Sequence, residues 1–139
     1  MFKALESESV VNVIRLHNNI QKRMGRALSV HGIGLTEYLV LNQLYNTATQ
    51  KMQRSDLAEQ IGLSPSGVTR LINPMEKIGL VVKEDNPRDA RVSLVALTLA
   101  GKQVYEEAQV TFSYTSVAQF ELFESNQLSS FSELLKIVS

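Results

Sequence analysis

The sequence predicts a mainly α-helical fold with a small β-hairpin. Two observations lead to this prediction. Apolar residues recur every three or four positions along most of the 139-residue chain, as they do on amphipathic helices. Two β-branched segments, residues 80–84 and 91–97, flank the charged, proline-containing turn of residues 85–90, which is typical of a hairpin. The predicted order is helix, helix, short helix, helix, hairpin, helix, helix, and its middle part is a helix-turn-helix followed by a wing.

The helices are bounded by local start and stop signals. Residues 8–30 form the first helix, which the two glycines of "HGIG" end, and Thr36 is the expected N-cap of a second helix over residues 37–45. Ser55 is the expected N-cap of a short third helix over residues 56–61.

The fourth helix has the clearest start signal in the chain. Gly62 suits the positive φ of a tight turn, and Ser64 followed by Pro65 combines an N-cap hydroxyl with proline at the first helical position. After the hairpin, Thr98 is the expected cap of a long helix, and residues 124–127 separate that helix from a last amphipathic one.

The two faces of the fourth helix differ in chemistry. Its inner face is predicted to carry Val68, Leu71, Ile72 and Met75, and its outer face Ser66, Thr69, Arg70 and Asn73. Small side chains at a helix start allow another surface to approach closely, the unpaired N–H groups there suit a phosphate, and Arg70 presents a planar fork of donors. A major groove about 12 Å wide accepts such a helix. The alternative is an ordinary capped and solvated helix start.

Pro74 leaves the end of this helix open. Inside a helix it removes the bond to the Arg70 carbonyl and costs ~3 kcal/mol. Either the helix bends at Pro74, or Asn73 caps a fresh turn that Pro74 begins. Both alternatives leave residues 64–70 undisturbed.

The hairpin turn carries a second candidate contact. Arg88 and Arg91 bracket Asp89, at the position where a wing meets the minor groove or the DNA backbone. A charged turn is more often simply solvated, so the turn and the helix together carry the prediction of DNA binding.

Composition excludes several classes of function. The chain has no cysteine and only two histidines, His17 and His31, so disulfides, thiolate catalysis and most zinc sites are excluded, and we expect no metal and no cofactor. No nucleophile elbow, phosphate loop or other catalytic motif is present, so an enzyme is not expected. Apolar runs are too short to cross a membrane and the N-terminus does not resemble a secretory signal, so we expect a cytoplasmic protein. The net charge is zero, so a nucleic-acid binder must concentrate its cations locally.

The segment from Leu35 to Gly101 resembles the MarR family of bacterial transcription regulators. The matching pieces are "LTEYLVLNQL" (residues 35–44), "SDLAEQIGLSPSGVTRLINPMEKIGLV" (residues 55–81) and "PRDARVSLVALTLAG" (residues 87–101). The last piece contains the family's D-x-R wing signature at Asp89 and Arg91, followed by V-x-L-T-x-x-G at residues 95–101.

The resemblance implies a homodimeric winged helix-turn-helix regulator, most simply a repressor of a pseudo-palindromic operator. Residues 1–34 and 101–139 would hold the dimerisation helices, and residues 35–100 the DNA-binding domain. Arg91 would reach the minor groove with Asp89 orienting it, and Arg88 would contact a phosphate. The complete set of expected DNA-contacting residues is Ser64, Pro65, Ser66, Thr69, Arg70, Asn73, Arg88, Asp89 and Arg91.

Two departures from the family pattern are visible, Pro74 in the recognition helix and Ala90 where a second basic wing residue is common. The resemblance also implies a small phenolic or anionic effector, and the residues expected to line its cleft are Arg15, His17, Tyr38 and Tyr45. The rival hypothesis, which the zero net charge keeps open, is a winged-helix module that docks on another protein and does not bind DNA.

Overall fold

The computed structural model describes residues 4–139, so residues 1–3 of the predicted N-terminal segment lie outside it. The helices are α1 (Ala4–Leu28), α2 (Leu35–Tyr45), α3 (Arg54–Ile61), α4 (Pro65–Lys77), α5 (Leu99–Gln119) and α6 (Ser125–Val138). The strands are β1 (Lys51–Gln53), β2 (Val81–Glu84) and β3 (Leu94–Leu97). The predicted mainly helical fold with a wing is confirmed.

The first two helices begin earlier than predicted. α1 starts at Ala4 and passes at its end into a single 3₁₀ turn, which Gly32 closes with a φ of 74°. α2 starts at Leu35 because the Glu37 carboxylate accepts a hydrogen bond from the backbone N–H of Gly34 at 2.7 Å. The prediction of Thr36 as the N-cap is therefore wrong, since Thr36 already lies inside the helix.

The third helix also begins two residues earlier than predicted. Gln53 is the N-cap residue and Arg54 the first helical residue, so Ser55 is not the cap. Gly62 ends α3 with a φ of 73°, as predicted. α4 then runs without interruption through Pro74 to Lys77, which excludes the fresh turn at Asn73.

The wing belongs to a three-stranded antiparallel sheet in the order β1-β3-β2. β1 was not predicted. It pairs with β3, with Met52 opposite Val95, and β2 pairs with the other edge of β3, with Val82 opposite Ala96. β3 begins only at Leu94, so the return strand has 4 residues and lacks the first three of the predicted range, residues 91–97.

The start of α5 is fixed to the end of α4 by Thr98. Its hydroxyl accepts a hydrogen bond from the Gly101 N–H at 2.9 Å and lies 2.6 Å from the Gly79 carbonyl oxygen, to which it can donate. The predicted cap is thus confirmed, and it also joins two elements. Gly101 is buried, and a Cβ atom there would lie 2.0 Å from the Leu80 carbonyl oxygen, so α5 touches the backbone before β2 with no room for a side chain.

One core unites the winged segment with α1 and α5. The side chains that are at most 1% exposed come from helices α1 to α5 and strand β2, and they are Leu28, Val40, Leu41, Leu44, Leu57, Val68, Ile72, Met75, Val81 and Ala108. By contrast, α6 is attached through an aromatic cluster of Phe120, Phe123 and Phe131, whose ring centroids lie 5.5–5.7 Å apart.

A large apolar surface stays uncovered on the outer helices. The exposed apolar side chains on α1 are Leu5, Val10, Val11, Val13 and Ile14; those on α5 are Leu99, Val110, Tyr114 and Val117; those on α6 are Leu128, Leu134, Leu135, Ile137 and Val138. Within residues 4–139, no helix combines the length and the apolar character needed to cross a bilayer.

Candidate nucleic-acid interface

The start of α4 is built as the sequence predicts. Ser64 adopts an extended backbone (φ −72°, ψ 160°), and its hydroxyl accepts a hydrogen bond from the Gly67 N–H at 3.1 Å. Pro65 occupies the first turn, where its missing N–H costs nothing. A Cβ atom at position 67 would lie 3.2 Å from the Ser64 hydroxyl oxygen, so the glycine leaves this cap free of crowding.

The outer face of α4 is open to solvent. Val68, Ile72 and Met75 are at most 1% exposed and fix the inner face. The exposed residues are those expected to contact DNA, namely Ser64, Pro65, Ser66, Thr69, Arg70 and Asn73. A polar helix face with a small N-terminal end and one long cation is therefore presented by a rigid, well-packed helix.

The wing turn is shaped by two side chains that hydrogen-bond to nearby backbone. The Asn86 side-chain oxygen accepts from the Arg88 N–H at 3.0 Å, and an Asp89 carboxylate oxygen accepts from the Arg91 N–H at 3.0 Å. Asn86 is 8% exposed, whereas Arg88 is exposed at the turn. Because these local hydrogen bonds engage the wing backbone, it does not pair with a neighbouring strand there, which explains why β3 starts only at Leu94.

Asp89 also binds the side chain of Arg91 at two points. The distances are 3.1 Å from Nε to Oδ1 and 3.2 Å from one terminal guanidinium nitrogen to Oδ2. The hydrogen bonds from Arg91 lower the pKa of the Asp89 carboxyl, so this carboxylate is ionised at neutral pH. The Arg91 side chain remains 89% exposed. Asp89 therefore aims the arginine without covering it.

Two residues of this surface were missed by the sequence reasoning. Arg54, the first residue of α3, places a guanidinium nitrogen 3.5 Å from the Thr69 hydroxyl oxygen on α4. Only the tertiary structure brings these two residues together. Asn86 could have been found, because Asn-Pro is a turn-initiating dipeptide.

The four residues expected to line an effector cleft lie in different surroundings. Arg15 and His17 are exposed on α1. Tyr38 is 3% exposed and stacks on Phe112 with ring centroids 4.4 Å apart, and burial raises its pKa. Tyr38 therefore packs in the core rather than lining an open cleft.

Tyr45 borders a small open cavity of about 360 Å³, together with Tyr105 and Glu106. Its hydroxyl donates to a Glu106 carboxylate oxygen at 3.1 Å, and this hydrogen bond raises the pKa of Tyr45. A second cavity, of about 510 Å³, lies between α1 and α5 and is lined by Asn19, Lys22, Arg23, Arg26, Ala27 and Thr115.

Comparison with known proteins shows which family these features resemble. Residues 33–93 match the model of the MarR family. The transcriptional activatory protein BadR of Rhodopseudomonas palustris is 33% identical over 90 residues, which are 64% of this chain and 51% of BadR. This chain spans about half the length of the first curated relatives it matches.

Solved structures of the same fold align over nearly the whole chain. Sco3205 of Streptomyces coelicolor, a MarR family regulator solved in complex with DNA, has a TM-score of 0.89 at 22% identity, covering 99% of this chain and 88% of its own. CouR of Rhodococcus jostii, solved with p-coumaroyl-CoA, has a TM-score of 0.84 at 23% identity, covering 99% of this chain and 95% of its own. The capped recognition helix, the Asp89–Arg91 wing and these matches together show that residues 33–93 resemble the MarR family and that the chain has the winged helix-turn-helix fold of the solved structures.

Proposed function

We propose that this protein is a sequence-specific DNA-binding transcription regulator that acts as a repressor. The observation that carries the proposal is the pairing of an exposed recognition face on α4 with a wing arginine that Asp89 holds at two points. A protein-docking winged helix has no need of an arginine that is both oriented and 89% exposed. A regulator of this kind acts where the bacterial chromosome is, so we propose a cytoplasmic location.

In the proposed complex, α4 lies in the major groove and the wing reaches the adjacent minor groove. The guanidinium of Arg70 can donate two hydrogen bonds to one guanine edge. Ser64, Ser66 and the start of α4 face the phosphates, which helix N-termini favour. Arg91 enters the minor groove, and Arg88 binds a phosphate beside it. Because much of the affinity comes from phosphates, binding should weaken steeply with salt.

Selection of duplexes from a random library tests this function. We expect enrichment of a pseudo-palindrome whose half-sites are centred about 10 bp, or one helical turn, apart. Selection needs no knowledge of the regulated genes, so a distant operator does not hide the result. If a folded dimer enriches no sequence at either low or physiological salt, DNA recognition is refuted and the protein-docking function replaces it.

We also propose that the active form is a homodimer, with residues 1–34 and 101–139 forming the interface and residues 35–100 the DNA-binding domain. The exposed apolar side chains on α1, α5 and α6 support this arrangement, since large uncovered apolar patches mark interaction surfaces. A second copy is the occupant that a pseudo-palindrome requires.

Ile14→Glu is expected to dissociate the dimer. Ile14 is 54% exposed in the single chain, and an unpaired charge buried in an interface costs about 3–5 kcal/mol. The dimer dissociation constant should rise by two orders of magnitude or more, which sedimentation at several concentrations measures. Asn12→Glu adds the same charge to the other side of α1 and is the matched control. An unchanged dissociation constant for Ile14→Glu would remove α1 from the interface.

We further propose a phenolic or anionic effector that releases DNA. CouR, which shares the fold, holds p-coumaroyl-CoA, and the cavity between α1 and α5 carries Lys22, Arg23 and Arg26. Such a ligand acts only through a preference for one spacing of the two recognition helices over another. Of the four predicted residues, Tyr45 borders the separate cavity beside Tyr105 and Glu106, whereas Tyr38 is buried.

A further inference from the structure

Arg54 stands beside the recognition surface without belonging to α4. It is the first residue of α3, it is half-buried, and one of its terminal nitrogens lies 3.5 Å from the Thr69 hydroxyl oxygen. Among residues 4–139, no carboxylate lies within ion-pair distance of its guanidinium. Its charge therefore has no acidic partner in the part of the chain that the structure describes.

The position of Arg54 indicates which group of the DNA its guanidinium can bind. A guanidinium carries five N–H donors in a planar fork, and the contact with Thr69 uses one of them. In a helix-turn-helix, the first helix crosses the DNA backbone while the second enters the major groove. Arg54 is at the start of that first helix, and its side chain extends to the exposed face of the second. The other N–H donors of Arg54 are thus available to a DNA phosphate at the edge of the recognition surface.

We propose that Arg54 is a specificity-positioning residue of the DNA interface. It binds a DNA phosphate and, through the same guanidinium, fixes the Thr69 hydroxyl in the orientation that reads a base. The inference rests on the proposed function. It adds to that function a residue on α3 through which a contact to the DNA backbone controls a contact to a base. Thr69 alone, an exposed side chain with a freely rotating hydroxyl, would read its base less selectively.

A double-mutant cycle on the selected operator tests the coupling. We expect Arg54→Ala to weaken operator binding by roughly tenfold in each half-site, the size of a hydrogen bond to a charged group. It should also reduce the slope of log affinity against log salt by about 0.9 for each half-site, the value of one phosphate contact, or by about 1.8 for the dimer. Thr69→Val removes the hydroxyl with little change of shape. We expect the fold-loss from Thr69→Val to be smaller in the Arg54→Ala background than in the wild type, so that the two losses do not multiply.

Arg54→Lys separates the two roles. Lysine keeps the positive charge but lacks the planar fork, so the salt slope should stay near the wild-type value while the coupling to Thr69 is lost. Lys51→Ala, which removes a cation that already pairs with Glu84 at 3.2 Å, is the control and should leave both quantities unchanged. Thermal unfolding of each variant verifies that its fold is intact.

The outcomes distinguish this inference from the proposed function. If the wild type binds no selected duplex, both fall. If the wild type binds but Arg54→Ala keeps its affinity and salt slope, only the Arg54 inference is overturned. Losses that multiply in the double variant overturn the positioning of Thr69, because they mean that the two residues act independently.

Discussion

Arg70→Ala is expected to weaken binding to the selected operator by about fivefold to 150-fold, or 1–3 kcal/mol, in each half-site, and to affect scrambled DNA far less. Arg70 is exposed in the second turn of α4, on the face opposite Val68 and Ile72. The guanidinium of Arg70 can donate two hydrogen bonds only to a base edge whose acceptors match its geometry. Removal of Arg70 should therefore relax sequence preference at one position in each half-site.

Fluorescence anisotropy with the operator and with a scrambled duplex measures this difference. Lys51→Ala is the control for the removal of a positive charge, since Lys51 already pairs with Glu84 and is not among the expected DNA contacts. An equal loss on the two duplexes would reassign Arg70 to a phosphate contact. Unchanged affinity for both would remove it from the interface.

Gly101→Ala is expected to lower the free energy of unfolding by about 3 kcal/mol, at the upper end of what overpacking usually costs. The added Cβ would lie 2.0 Å from the Leu80 carbonyl oxygen and 2.9 Å from a Leu97 methyl carbon. Neither backbone can move alone, because Thr98 bonds to both the Gly101 N–H and the residues before β2. The midpoint of thermal unfolding should fall by roughly 10 °C.

Gly25→Ala is the matched control for this change. Gly25 lies inside α1, and among residues 4–139 no atom beyond its chain neighbours and the adjacent backbone of α1 lies within 4 Å of a Cβ built there. Alanine should therefore raise stability by about 0.5–1 kcal/mol through its helix propensity. If calorimetry gives Gly101→Ala the same midpoint as the wild type, the close approach of α5 to the backbone before β2 is incorrect. That contact is also the physical reason for the glycine in the V-x-L-T-x-x-G segment.

Elements with strong local signals were predicted correctly. Ser64 with Pro65, and Thr98 with Gly101, combine a cap and a first-turn residue within four positions, and the structure has both caps. β1 escaped prediction because its three residues become a strand only by pairing with β3, more than 40 residues away. The late start of β3 has the opposite cause, because the side chains of Asn86 and Asp89 bind the wing backbone locally.

The residues of the candidate site show the same contrast between local signals and distant contacts. The role of Asp89 in orienting Arg91 was expected from the resemblance to the MarR family, and the two side chains do meet at two points on one turn. Arg54 reaches the surface from another helix, so its sequence context does not reveal it. Tyr38 was expected in a cleft, but Tyr105 and Phe112 of α5 stack against it, and the position of α5 could not be known from helical periodicity.

The central claim is that α4 and the wing together bind DNA in a sequence-specific way. It is tested most directly by titrating the wild type and the Arg70→Ala, Arg91→Ala double variant against the selected operator and a scrambled duplex at 50 and about 200 mM salt. The account predicts tight, salt-sensitive binding that prefers the operator, with the preference lost in the folded, dimeric double variant. Operator preference that survives the loss of both arginines would contradict it.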